Sequence, residues 1–202
     1  MTWNQINMGQ FVLLQNALNK KYKRPEHKTF ALARIVFGKD IENEPVADLP
    51  HYYAELEELL NSAVPDKKPE GEYILDGRKY ILHKEIEKMT TAQYIDFTNL
   101  AKEAGKHTIE TLAVFLIPDG HKYNDGYDVE QVRRDIRDHL NAVEGNAMLF
   151  FFIRRSRDCM RRSVSYSLVQ IMKTTSVPLK NRMKTCRELL QGWLSLEHSI
   201  MP

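Results

Sequence analysis

The sequence predicts a mainly α-helical fold: a degenerate two-copy helical repeat with one inserted β-hairpin and a C-terminal helical extension. Three observations carry this expectation. Apolar residues recur at the 3.6-residue spacing of amphipathic helices through most of the chain. Residues 6–60 match residues 89–143 in order. One stretch of β-prone residues is split by Asp76-Gly77, a dipeptide that supplies positive φ to a tight hairpin turn.

Helices are expected over 7–21, 28–37, 46–62, 90–104, 107–117, 128–143 and 147–173, and over 179–197 after Pro178. Thr90 or Thr91 is placed to cap the fourth by offering a side-chain oxygen to an unpaired amide. Val64 to Gly71, rich in Pro, charge and Gly, reads as a linker, and Pro118 to Gly126 as a turn-rich connector. Between linker and repeat, Glu72-Tyr-Ile-Leu75 and Arg78-Lys-Tyr-Ile-Leu82 flank the Asp-Gly turn. An isolated hairpin is marginal in water, so this one needs helices, a third strand or a copy of itself beside it. The organisation that follows is a first helical repeat over 1–63, linker and hairpin over 64–88, a second repeat over 89–143 and C-terminal helices over 144–202, within one domain.

The repeat is read from three blocks. Gln10, Phe11 and Leu14 face Gln93, Tyr94 and Phe97 at an offset of 83. Leu32-Ala33 faces Leu112-Ala113 at an offset of 80, which places a longer loop in the first copy. Val46, Leu49 and Tyr53 then face Val129, Val132 and Ile136, returning the offset to 83. Units of this kind have apolar faces that they cannot bury alone, so packing the copies together supplies a shared core.

Composition narrows the function. At 202 residues, with 43% hydrophobic and 28% charged, the chain is long enough for a substantial core. A net charge of +2 gives no global attraction to nucleic acid or anionic lipid, so any such partner must be met by a local cluster. Cys159 and Cys186 lack metal-ligand spacing and read as reduced thiols. With no basic start followed by an apolar run, a cytoplasmic location is expected. The most apolar run, Met148 to Ile153, is six residues long, where a membrane span needs about 20.

Two surface candidates emerge. Arg154, Arg155, Arg157, Arg161 and Arg162 gather on the polar side of an amphipathic helix, with Arg133, Arg134 and Arg137 as possible neighbours. Such a face is solvated, paired internally with residues such as Asp158, turned to an acidic protein, or turned to phosphates. Phe150, Phe151 and Phe152 spread over more of a helix than one core stripe buries, so at least one should meet a neighbouring helix or another chain. Tyr94 and Phe97 join them as interface candidates. The seven histidines are scattered, with His27 and His107 falling before apolar helices where they read as capping or packing residues. Asp119 to Asp128 lacks the ligand alternation and closing Glu of a calcium loop. No phosphate cradle, nucleophile elbow or paired catalytic carboxylates can be found, so neither an enzyme nor a metal or cofactor site is expected.

Three segments carry a resemblance: Tyr73-Ile-Leu-Asp-Gly-Arg-Lys-Tyr-Ile-Leu82, Met89-Thr-Thr-Ala-Gln-Tyr-Ile-Asp-Phe97 and Leu112-Ala-Val-Phe-Leu-Ile-Pro-Asp-Gly120. Together, over about residues 3–172, the order of elements resembles the small tail-assembly chaperones of long-tailed bacteriophages. The resemblance implies a non-enzymatic protein that binds a long helical tape-measure protein during tail assembly and that can oligomerise. It carries over no functional residue and leaves the segment from Pro178 unaccounted for. A nucleic-acid-binding accessory factor using Arg154 to Arg162, or another phage structural component, stands as the alternative.

Overall fold

The computed structural model describes residues 1–101 and 106–155. Its elements are α1 (Met8–Asn19), α2 (Pro25–Phe37), α3 (Leu49–Asn61), β1 (Glu72–Leu75), β2 (Arg78–Leu82), α4 (Thr91–Ala101), α5 (Thr108–Phe115), β3 (Leu116–Pro118) and α6 (Val129–His139). A last helix, α7, covers 142–155. The fold is mainly helical, with a three-stranded antiparallel sheet in the order β1-β2-β3.

Four helices, α1, α4, α6 and α7, start where a side chain takes up an orphan amide. Asn7 accepts from the Gln10 amide at 2.8 Å, and the Gln10 side chain returns a bond to the Asn7 amide. Thr90 does the same for Gln93, Asp128 for Glu130 and Gln131, and Asn141 for Glu144. Pro25 sits in the first turn of α2, where its missing N–H costs nothing, and Gly38 ends that helix at φ 65.

The hairpin turns as expected: Asp76 and Gly77 both have positive φ, and β1 pairs with β2 from Glu72–Ile81 to Leu75–Arg78. A third strand, one of the supports expected for it, pairs with β2, but its source in the end of a helix was not foreseen. The helix expected over 107–117 stops at Phe115, and Leu116 to Pro118 run on as β3 against β2. His83 donates its amide to the Phe115 carbonyl at 2.9 Å, and Asp119 to Lys79 at 2.9 Å, so the hairpin captures the end of this helix at both margins. Alternation decides the faces: Tyr73, Leu75, Tyr80, Leu82 and Leu116 turn inward, while Glu72, Ile74 and Lys79 turn outward.

One core cluster runs from Trp3 to Phe152 and takes residues from both repeat copies, the sheet and α7. Its closure joins α1 to α7. Met8 donates its amide to the Leu140 carbonyl, Ala142 donates to Ile6, and the two capping asparagines, Asn7 and Asn141, lie side by side as an antiparallel bridge. A Cβ at Gly145 would collide with the Met8 side chain, so the glycine is what lets the two helix entrances close together.

The positions paired in the expected repeat agree in burial only in part: Phe11 is buried whereas Tyr94 is 43% exposed. Leu14 and Phe97 are buried, as are Leu32-Ala33 and Leu112-Ala113. The third block does not return to an offset of 83: Val46 is 81% exposed and Tyr53 is exposed too, whereas Ile136 is fully buried. Buried and half-buried positions in α3, Tyr52, Leu56 and Leu60, match Val132, Ile136 and Leu140, at the offset of 80 already held by the second block. Leu59 is the exception, buried where His139 is exposed. His27 lies inside α2 and is exposed, and His107 makes no side-chain cap, contributing instead its carbonyl to Thr111.

Candidate functional site

The rotation of α7 is set from inside. Phe152 is buried and stacks on Phe115, with ring centroids 3.4 Å apart and planes 9° from parallel, while Met148 is buried one turn earlier. With that face fixed, Phe150 is left 49% exposed and Phe151 half-buried beside it. Phe151 meets Phe152 edge-on at 5.2 Å, and the Arg155 guanidinium lies 5.9 Å from the centre of its ring, within cation–π range.

The linker segment Asp66 to Pro69 forms the facing wall. Glu144, in the first turn of α7, holds it there: its carboxylate pairs with Lys67 and accepts a 3.2 Å bond from the Tyr73 hydroxyl, which itself accepts from the Glu70 amide at 2.7 Å. Lys84 adds a bond to the Pro69 carbonyl at 2.7 Å. Lys67 is held above its usual pKa by its bonds to Glu144 and Glu70. Burial, with Glu144 alongside, pushes the Tyr73 hydroxyl up, so it stays a neutral donor.

Between wall and helix lies a groove of about 480 Å³, lined by Asp66, Lys67, Lys68, Pro69, Ala147, Phe150, Phe151, Arg154 and Arg155. Among the described residues it has an aromatic floor, four cations and one carboxylate. Chemically it suits a ligand that is apolar on one side and acidic on the other.

The residues singled out in the sequence are not all brought here. Phe150, Phe151, Arg154 and Arg155 line the groove, whereas Phe152 belongs to the core. Phe97 is buried edge-on to Phe115 at 5.0 Å, and Tyr94 stands half-exposed on α4, away from the groove lining. Arg157, Arg161, Arg162 and both cysteines lie outside the described residues, as does the C-terminal extension from 156 onward. Arg133, Arg134 and Arg137 pair with Glu130, Asp128 and Asp138 on or beside their own helix. Lys67 and Lys68 were missed. Their only signal was a charged linker, and charge in a linker ordinarily means solvation.

Two further polar constellations are structural ties. Asp135 is buried in α6 and accepts from Tyr80 at 2.5 Å, from Arg78 at 2.8 and 3.0 Å, and from Gln131 at 2.6 Å. Burial alone would raise this carboxyl, but the bonds from Tyr80, Arg78 and Gln131 outweigh it and hold the group below the ordinary carboxylate range. The cluster bolts the hairpin to α6. Tyr123 donates to Asp96 at 2.6 Å across the mouth of a second cavity of about 340 Å³, and burial with that bond raises the Tyr123 hydroxyl. Among the described residues no three His, Cys, Asp or Glu side chains converge as metal ligands, and no helix is long and apolar enough to cross a membrane. Comparison with protein-family models, with curated proteins and with solved structures returns no match to this chain.

Proposed function

We propose that this chain is a non-enzymatic protein-binding assembly factor that takes an acidic amphipathic helix of a longer client into the groove between the 66–69 wall and α7. The observation that carries the reading is the pairing of Phe150 and Phe151 with a basic rim, Arg154 and Arg155 on the same helix and Lys67 and Lys68 on the facing wall. An amphipathic helix lays its apolar stripe into such a groove and is read by anchors one turn apart. Acidic side chains beside that stripe would meet the rim, giving orientation and a faster encounter. A tail-assembly chaperone holding a helical tape-measure-type client is the specific form we favour, supported by the resemblance of the hairpin and helix segments and by the shape of this groove. Oligomerisation of the chain is part of the same reading.

The test is affinity capture of the tagged full chain from cells that express it, with nuclease present, alongside Phe150→Asp. The expected result is a helix-rich protein recovered with the wild type and reduced about tenfold or more with Phe150→Asp, a loss typical of a central interface anchor. Partners that vanish on nuclease treatment, with affinity falling steeply as salt rises, would transfer the basic rim to nucleic acid and end the proposal.

A further inference from the structure

The β1 edge is the second surface prepared for a partner. Leu82 donates its amide to the Gly71 carbonyl, and β1 and β2 pair Tyr73 with Tyr80 and Leu75 with Arg78 across a two-residue turn. In an antiparallel ladder the hydrogen-bonded pairs alternate, so residues 71, 73 and 75 spend their backbone groups on β2. The N–H and C=O of Glu72 and Ile74 therefore point away from the sheet, and no described strand pairs with them.

Edges of this kind are ordinarily guarded by Lys, Pro, a bulge or a covering loop. Residues 72–75 contain no Lys, no Pro and no bulge, and the centre of the strand carries Ile74 with 76% of its surface exposed. Among the described residues the protections are its shortness and Glu72 with its partner Lys79. A groove of about 640 Å³ runs beside the strand, lined by Glu70, Glu72, Tyr73, Ile74, Lys79 and Glu144.

We propose that β1 accepts a further strand from an extended segment of a partner protein whose side chains alternate between apolar and basic. The backbone of that segment would pair with Glu72 and Ile74, one apolar side chain would cover Ile74, and its Lys or Arg residues, on the opposite face of the added strand, would meet Glu144 and Glu70 beside Tyr73. Charge selects this occupant over a second copy of the chain. Glu70, Glu72 and Glu144 outnumber Lys67 and Lys79, with which they pair, and edge-to-edge pairing of two copies would bring two acidic margins together. A basic strand removes that excess. Glu144 also holds the wall of the α7 groove, but Ile74 takes no part in that groove, so variants at Ile74 let the two readings fail separately.

The experiment titrates the isotope-labelled full chain with a capped peptide alternating Lys and Val, and with its Glu-Val counterpart, following amide hydrogen exchange. The Lys-Val peptide should slow exchange at Glu72 and Ile74 by roughly tenfold while leaving the inner amides of Tyr73 and Leu75 unchanged. Ile74→Pro removes an outward donor without breaking a hairpin bond, because Pro is tolerated on the open side of an edge strand. It should weaken binding about tenfold or more. Ile74→Ala keeps the donor and should weaken binding less, which separates backbone pairing from side-chain contact should the proline variant unfold. Unprotected Glu72 and Ile74 amides, equal binding of the Glu-Val peptide, or protection that rises with protein concentration and no peptide would each overturn the proposal, the last by making a second copy the occupant.

Discussion

The two repeat copies open alike and end differently. In the first, Gln10 follows its capping Asn7 by three residues and reaches across to donate to the Ile35 and Val36 carbonyls at 2.9 and 3.3 Å. In the second, Gln93 follows Thr90 by the same interval and donates to the Val114 carbonyl at 2.7 Å. One amide side chain thus ties the start of one helix to the end of the next in both copies, satisfying carbonyls that a helix C-terminus leaves orphaned. After that tie they part. The first copy stops its second helix with Gly38 and reaches α3 through a short turn anchored by the buried Ile41, whereas the second runs straight into β3 and is captured by the hairpin. At the matching positions of the third helices stand Glu55, partly exposed beside Met1 and His51, and Asp135, buried under Tyr80 and Arg78. The likeness of the two segments lies in their helix ends, and the difference lies in what those ends deliver the chain to.

The register shift of the third block gives the largest test. Leu56→Ala should cost about 3 kcal/mol, as for other buried leucines. Val46→Ser should fall within about 0.5 kcal/mol of wild type, as exposed positions do. Chemical denaturation of both variants decides it, and a reversal would restore the offset of 83.

Next comes the carboxylate pair. Asp135→Ala should cost about 2 kcal/mol, less than a fully buried ion pair because Arg78 is half-exposed, while Glu55→Ala should cost under about 0.5 kcal/mol. Acid sharpens the contrast. A carboxyl held low in the folded state contributes stability above its unfolded pKa, and the contribution is lost as pH falls through its folded value. The stability gap between wild type and Asp135→Asn should be widest near neutrality and narrow below about pH 4. A gap that widens in acid would contradict the hydrogen-bonded geometry.

The glutamine tie is the finest comparison. Gln93→Ala should cost about 2 kcal/mol, since its carbonyl partner is left buried, and Gln10→Ala about 1 kcal/mol, since water reaches its half-buried site. Equal losses in thermal unfolding would mean that burial does not distinguish the two.

Much of this was legible in the chain. Periodicity placed most of the described helices, though the one expected over 128–143 breaks at Leu140 and α7, expected from 147, already starts at 142; Asp76-Gly77 placed the hairpin to the residue, because positive φ at two adjacent positions is a strong local demand. What the chain could not disclose was long-range. Nothing near Leu116 distinguishes the end of a helix from a short strand until β2 is beside it, and nothing near Asp135 announces Arg78. The third-block register misled because Val46 and Tyr53 have apolar character without burial, so apolar matching followed composition where packing followed geometry. At the groove, the three adjacent phenylalanines marked a helix that must meet more than one neighbour, but only the stack on Phe115 shows which of them faces inward. The change Phe152→Asp therefore tests the core and Phe150→Asp the surface.

The bridge between Asn7 and Asn141 bears on the order in which this protein can be made. A helix entrance synthesised first waits for its partner at the far end of the described chain, and contacts so distant in sequence close slowly. While the ribosome is still adding α4 to α6, Met8 has no Gly145 to sit against and the face of α1 that will be covered by α6 and α7 is open. The nascent first copy is itself a client for whatever holds unfinished chains, and a stalled or truncated product ending before α7 should be the form that aggregates.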